Sequence, residues 1–168
     1  KVDPPPPPAP KKVPDNILIG AQELSKANCF INMARKRPAR KVDAAKTTIL
    51  IVEDDTTTQY LLHILLSRAG YQTRRVGSAA EFISAMQKAP LPDLAILDIR
   101  LNGDVSGFKI LAKIRSHPRI AKMPVIILSG QTDPTDLMQG VSLGADAYLS
   151  KPTRAKSLMD AVQAVLGG

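Results

Sequence analysis

From Thr47 the chain repeats one unit, a short apolar run followed by a longer stretch with apolar residues at helical spacing, five times in about 120 residues. Strands are expected at Thr48–Val52, Gln72–Val76, Asp93–Leu97, Pro124–Leu128 and Ala147–Ser150. Helices are expected at Thr56–Ala69, Ser78–Lys88, Gly107–Ser116, Asp133–Leu143 and Thr153–Leu166. In the first of these the apolar stripe reads as Tyr60, Leu61, Ile64, Leu65 and Ala69, ending at Gly70. Ser78 with Glu81 three residues on reads as a capping box. Such alternation implies a parallel sheet with helices on both faces, since parallel strands need crossover connections.

The expected fold class is therefore α/β, a doubly wound, five-stranded parallel sheet in the flavodoxin-like order 2-1-3-4-5. Leu94–Leu97 and Val125–Leu128 are continuous apolar runs, as central strands buried on both faces require. Gln72, Thr73, Arg74 and Arg75 make the second strand polar and suit it to an edge. This order sets strands 1 and 3 side by side at the switch point, where ligands bind beyond the strands' C-terminal ends. Glu53 and Asp54 close the first strand and Asp98 closes the third, so three carboxylates converge there. Unless a cation joins them they repel one another, and oxygen ligands of this kind suit Mg²⁺. Ser129 closes the fourth strand beside this pocket, and Lys151 follows the fifth, one strand further away.

At these residues the chain resembles the receiver domain of two-component response regulators, in the CheY-like superfamily. The matching stretches are ILIVEDD (Ile49–Asp55), LAILDIRL (Leu94–Leu101), PVIILSG (Pro124–Gly130) and GADAYLSKP (Gly144–Pro152). The resemblance implies that Asp98 is the phosphoacceptor, taking a phosphoryl group from a phosphohistidine of a histidine kinase or phosphotransfer protein. It implies Mg²⁺ as cofactor, held by Glu53, Asp54, Asp98 and the backbone carbonyl of Arg100. Ser129 would hydrogen-bond the phosphoryl group, and Lys151 would pair with its charge. Tyr148 would be the switch aromatic, and the Lys151–Pro152 bond would be cis. The output face would be the fourth strand, the helix after it and the fifth strand. A self-phosphorylating switch rather than a turnover enzyme is implied. The loop after Asp98 departs from the family pattern: Asn102 stands where Pro is usual, and Gly107 lies nine positions on, one further than usual. Asp104 is an extra carboxylate there, and Arg100 and Gln131 flank the pocket where receivers vary.

Several of these residues also have plainer readings. Asp55 and Thr56 suit the N-cap of the first helix. Asp98 has a plainer reading as a solvated loop acid, which its place after four apolar residues opposes. Lys151 has one as a surface lysine, which Pro152 and the other three motifs oppose, and Tyr148 one as packing. Met86, Met123, Met138 and Met159 read as filler. His63 and His117 have no ligand-spaced partner that would make a zinc site. Two rival functions are weighed against the phosphoacceptor. One is a receiver-fold adaptor acting mainly through its basic tail. The other is a flavin protein, which the carboxylates oppose and Thr56–Thr58 only faintly suggest.

Two segments are expected, an extension over 1–46 and a receiver domain over 47–168. Seven of the fourteen prolines lie within residues 4–14, so that stretch should be extended polyproline, a spacer or a docking motif for a proline-reading module. Ile17, Ala21, Leu24, Ala27 (or Asn28) and Ile31 predict a helix near 16–34, with Asp15 or Asn16 as N-cap. The basic run Arg35–Lys41 reads first as a solvated linker and otherwise as a docking site for nucleic acid or an acidic partner, the former disfavoured because no aromatic residue is interleaved to stack bases. The net charge is +8, but residues 1–46 hold ten basic against four acidic residues and the rest is nearly balanced. A nucleic-acid interface on the receiver itself is thus not expected. One cysteine allows no internal disulfide, and no run is long and apolar enough to span a membrane, so the expected location is the cytoplasm. A chain that begins with Lys is expected to be a fragment or a processed product. No DNA-binding module is expected within these residues, so output is expected from a partner, from the extension or from a portion beyond this chain.

Overall fold

The computed structural model describes residues 14–35, 38–39, 41–101, 105–130 and 134–167. The prolines of residues 4–13, part of the basic run, and Asn102, Asp104, Gln131 and Asp133 fall outside them. In chain order the elements are α1 (Asp15–Ala27), β1 (Cys29–Ile31), β2 (Thr48–Val52), α2 (Thr56–Arg68), β3 (Gln72–Val76), α3 (Ala79–Met86), β4 (Leu94–Asp98), α4 (Gly107–Ser116), β5 (Val125–Ser129), α5 (Pro134–Ser142), β6 (Ala147–Ser150) and α6 (Ala155–Leu166).

Among the described residues the sheet has six strands in the order β1-β6-β5-β4-β2-β3. Its last five positions are parallel neighbours in the expected order, with the polar β3 at one edge. The five-stranded expectation is corrected at the other edge. There β1 adds antiparallel to β6, pairing Cys29 with Leu149, Phe30 with Tyr148 and Ile31 with Ala147. The helix expected near 16–34 is shorter, because Asn28 takes left-handed backbone (φ 58°) and ends α1. Neither Asp15 nor Asn16 caps it: Pro14 holds the N-cap position, without a side-chain bond.

Residues alternate between two cores as strand geometry demands. Leu50, Val52, Leu97, Val125, Ile127 and Tyr148 face a layer built by α1, α3, α4 and α5. Ile49, Ile51, Ile96, Ile126, Leu128 and Leu149 face α2 and α6. Ile17, Ala21 and Leu24 bury the predicted stripe of α1 in the first layer. In α2 the stripe differs from the expected one. Leu62 and Leu66 are buried, whereas Tyr60 and Leu61 are exposed. The run LLHILL fits several helical faces, and Tyr60 instead lies under the guanidinium of Arg75 on the adjacent edge strand. Ser78 caps α3 as expected, accepting from the Glu81 N–H, while Glu81 Oε2 accepts from the Gly77 N–H at 2.8 Å.

Candidate functional site

Register carries each strand end to one place. Val52 pairs with Leu97, Asp98 with Leu128, and Ser129 with Ser150. The next residues along, Glu53 and Lys151, therefore meet Asp98 and Ser129 beyond the C-terminal edge. Glu53 is held there by its N–H, which donates to the Val76 carbonyl at 3.1 Å, and Lys151 by its N–H to the Ser129 carbonyl at 2.8 Å. Glu53, Asp54, Asp98, Arg100, Ser129 and Lys151 line one cleft of about 220 Å³. The expected acids Glu53, Asp54 and Asp98, the hydroxyl of Ser129 and the cation Lys151 are thus all in it. Tyr148 lies two residues before Ser150, buried under α5.

Lys151 organises the charges. Its Nζ is 2.8 Å from Asp98 Oδ2 and 2.8 Å from Glu53 Oε2. Burial works against its charge, but its hydrogen bond to Asp98 and its ion pair with Glu53 outweigh that and hold its pKa above the ordinary lysine value. Glu53 is fully buried. That burial, with Asp98 beside it, pushes its pKa up to about 7, although Lys151 and the Asp55 N–H pull the other way. The other oxygen of Asp98, Oδ1, accepts from the Arg100 N–H at 3.0 Å. Asp55 does what its plainer reading expects, capping α2 through the Thr58 N–H at 3.0 Å.

Two glycines permit this packing. A Cβ on Gly107 would lie 2.2 Å from the Asp98 carbonyl oxygen, so the N-terminus of α4 presses directly on the backbone of β4. The Gly107 N–H donates to the Ile99 carbonyl at 2.8 Å. A Cβ on Gly140 would lie 1.9 Å from the Tyr148 hydroxyl, which donates to the Asp136 carbonyl at 2.7 Å. Burial and the Asp136 charge raise the Tyr148 pKa above the ordinary phenol value. Lys151–Pro152 is cis, as the resemblance implied.

Glu53, Asp54 and Asp98 can each offer an oxygen within 4.8 Å of the others. Glu53 Oε2 is buried and accepts no well-directed hydrogen bond; its close neighbour is the Lys151 ammonium. A buried carboxylate oxygen without a directed donor is the kind of atom a hard cation completes, and an all-oxygen set fits Mg²⁺. The sequence reading missed Asp136, which lines the same cleft from α5, and the close approach of Gly107. It also missed the bond between Ser150 and Asn28, since nothing local marks residue 28 as a neighbour of residue 150.

Residues 49–163 match the family described as the response regulator receiver domain. Over 119 residues the chain is 43% identical to the transcriptional regulatory protein GltR of Pseudomonas aeruginosa, covering 71% of this chain and 48% of GltR. The chain spans about half the length of the curated relatives it matches. Among solved structures, it is similar to the chemotaxis response regulator CheY4 of Vibrio cholerae, with a TM-score of 0.66, 25% identity, and coverage of 71% and 98%. It is also similar to the Mn²⁺-bound form of the response regulator Rcp1, with a TM-score of 0.60, 25% identity, and coverage of 70% and 89%.

Proposed function

The chain belongs to the response regulator receiver family, and from that premise we propose that Asp98 accepts a phosphoryl group from a histidine kinase or phosphotransfer protein. The observation that carries this reading is the meeting of Lys151 Nζ with Asp98 and Glu53, each at 2.8 Å, beside Asp54 in one cleft. A carboxylate nucleophile among other carboxylates repels an anionic donor unless positive charge is stationed with it. Mg²⁺, held by Glu53, Asp54, Asp98 and the Arg100 carbonyl, would neutralise the acids and the phosphoryl oxygens. The neighbour Rcp1, known in an Mn²⁺-bound form, supports a divalent cation here.

An Asp98 oxygen attacks phosphorus, the phosphorus–nitrogen bond to the donor imidazole breaks, and that nitrogen keeps the electron pair. Phosphoryl transfer asks mainly for positioning and charge stabilisation. Lys151, freed from its pairing with Asp98, follows the charge onto the phosphoryl oxygens, and the buried Ser129 hydroxyl donates to one of them. The product carries about −1.5 to −2 charge at neutral pH where the carboxylate carried −1. That charge draws Ser129 and Lys151, and with them the strand ends that carry Tyr148, so β5, α5 and β6 form the output face. The chain acts once per phosphorylation as a switch, and a partner reads that face. A scaffold working through its tail has no need of this set of residues, so the adaptor reading is not favoured.

Asp98→Asn should abolish labelling by a small phosphodonor such as acetyl phosphate in the presence of Mg²⁺, read by intact mass, while thermal unfolding stays cooperative. Unchanged labelling of that variant would place the phosphoacceptor elsewhere.

A further inference from the structure

Residues 15–35 lie outside the stretch matched to the family, yet they are stitched to the strand that leads into Lys151. Asn28 turns the chain from α1 into β1. Its carbonyl accepts from the Ser150 N–H at 3.1 Å, and its Oδ1 accepts from Ser150 Oγ at 2.8 Å. Ser150 is buried and immediately precedes Lys151. Around this clamp the arm is fastened at further points. Ser157 Oγ donates to the Ala27 carbonyl at 3.0 Å. Asn32 donates to the Asp146 carbonyl at 2.9 Å and, through its amide, to the Ala145 carbonyl at 3.0 Å. Phe30 stands opposite Tyr148, and α1 packs Ile17, Ala21 and Leu24 into the core layer that holds Tyr148.

The two bonds at Asn28 fix the main chain and side chain of Ser150 in the arrangement in which Lys151 pairs with Asp98 and Glu53. A phosphoryl group on Asp98 gives Lys151 a new partner, and its backbone cannot shift without moving Ser150. A contact made best in one state biases the equilibrium toward that state, and the bias is reciprocal.

We propose that Asn28 is a positioning residue for Lys151, and that the α1–β1 arm is a built-in brake. Docked, it favours the unphosphorylated arrangement; phosphorylation loosens it. This inference rests on the phosphoacceptor reading. The chain carries its own reporter, since its single cysteine, Cys29, lies half-buried in β1. Burial, with Asp160 and Glu23 nearby, pushes that thiol up to about 11, so docked Cys29 reacts slowly.

The test uses the whole chain, beryllofluoride as the phosphoryl mimic with saturating MgCl₂, and two readouts: the rate of Cys29 modification by a disulfide reagent, and calorimetric beryllofluoride affinity. Beryllofluoride should speed Cys29 modification several-fold in the wild type. Asn28→Gly keeps the left-handed turn but removes Oδ1. It should raise the rate without beryllofluoride and tighten beryllofluoride binding by roughly threefold to tenfold, the worth of one hydrogen bond. Ser150→Ala removes the same bond from the other side, should act alike, and carries the test if Asn28→Gly does not fold. If beryllofluoride binds but the Cys29 rate or the variants' affinity stays at the wild-type value, the arm is passive and the coupling is overturned, with the phosphoacceptor reading intact. If beryllofluoride does not bind in the presence of Mg²⁺, that reading falls and the brake with it.

Discussion

Glu53 keeps its proton to a higher pH than a carboxylate in water, and that has a measurable sign. Its pKa is near 7 in the fold, against an ordinary 4.5. The folded state therefore binds the proton more tightly than the unfolded state does. The stability this confers is complete below about pH 4.5 and is lost as pH rises through about 7. Glu53→Gln removes the titration. Without divalent cation, the stability of wild type relative to this variant should fall by about 3 kcal/mol between those limits, as urea unfolding would read. Parallel pH profiles would show that Glu53 is ionised throughout. Gly107 gives a second expectation. Gly107→Ala drives a methyl group into the Asp98 carbonyl and should cost about 1–3 kcal/mol as well as slow labelling. Gly130→Ala meets nothing within 4 Å and should leave unfolding nearly unchanged, so equal losses in both would refute the steric account. The acids, Ser129 and Lys151 were legible because each ends an apolar run, which fixes both strand and end. Gly107 was not, because its constraint is a backbone oxygen nine residues away in sequence.

At the scale of elements, five strands and five helices could be read because each carries its own period. The stretch Cys29–Ile31 carries none: three half-buried residues become a strand only by pairing with β6, more than a hundred residues later. The end of α1 was hidden for a related reason. Asn28 and Ile31 prolong the helical spacing of Ile17, Ala21 and Leu24, and only the left-handed turn interrupts it. In α2 the opposite fault arose, too many apolar residues rather than too few, so the sequence admitted a stripe that the sheet did not use. The arm's main anchor is Leu24, fully buried on α1. Leu24→Ala should cost about 2–4 kcal/mol of docking energy. Amide exchange should quicken in α1 and β1 well before it does in β2 and β4; uniform quickening would make the arm inseparable from the core.

For the whole molecule, one cleft joins residues from four strands, so its charge bears on global stability. Three carboxylates held within 4.8 Å are a cost to the fold that a bound cation removes. MgCl₂ at about a hundred times its dissociation constant should stabilise the chain by about 2.7 kcal/mol, seen as a rise in Tm that Asp54→Asn largely abolishes. A Tm indifferent to MgCl₂ would remove the cation from the account. Among the described residues, no helix is long and apolar enough to cross a membrane.

A ribbon of strands ends in two borders, and a bare border invites another copy to join it. Here β6 is covered by a strand of only three residues of the same polypeptide, which is itself the short outer edge, and the other border bears neighbouring arginines, Arg74 and Arg75. Should the arm swing away, the molecule would uncover fresh hydrogen-bonding groups along β6 at the moment its message is meant to be read.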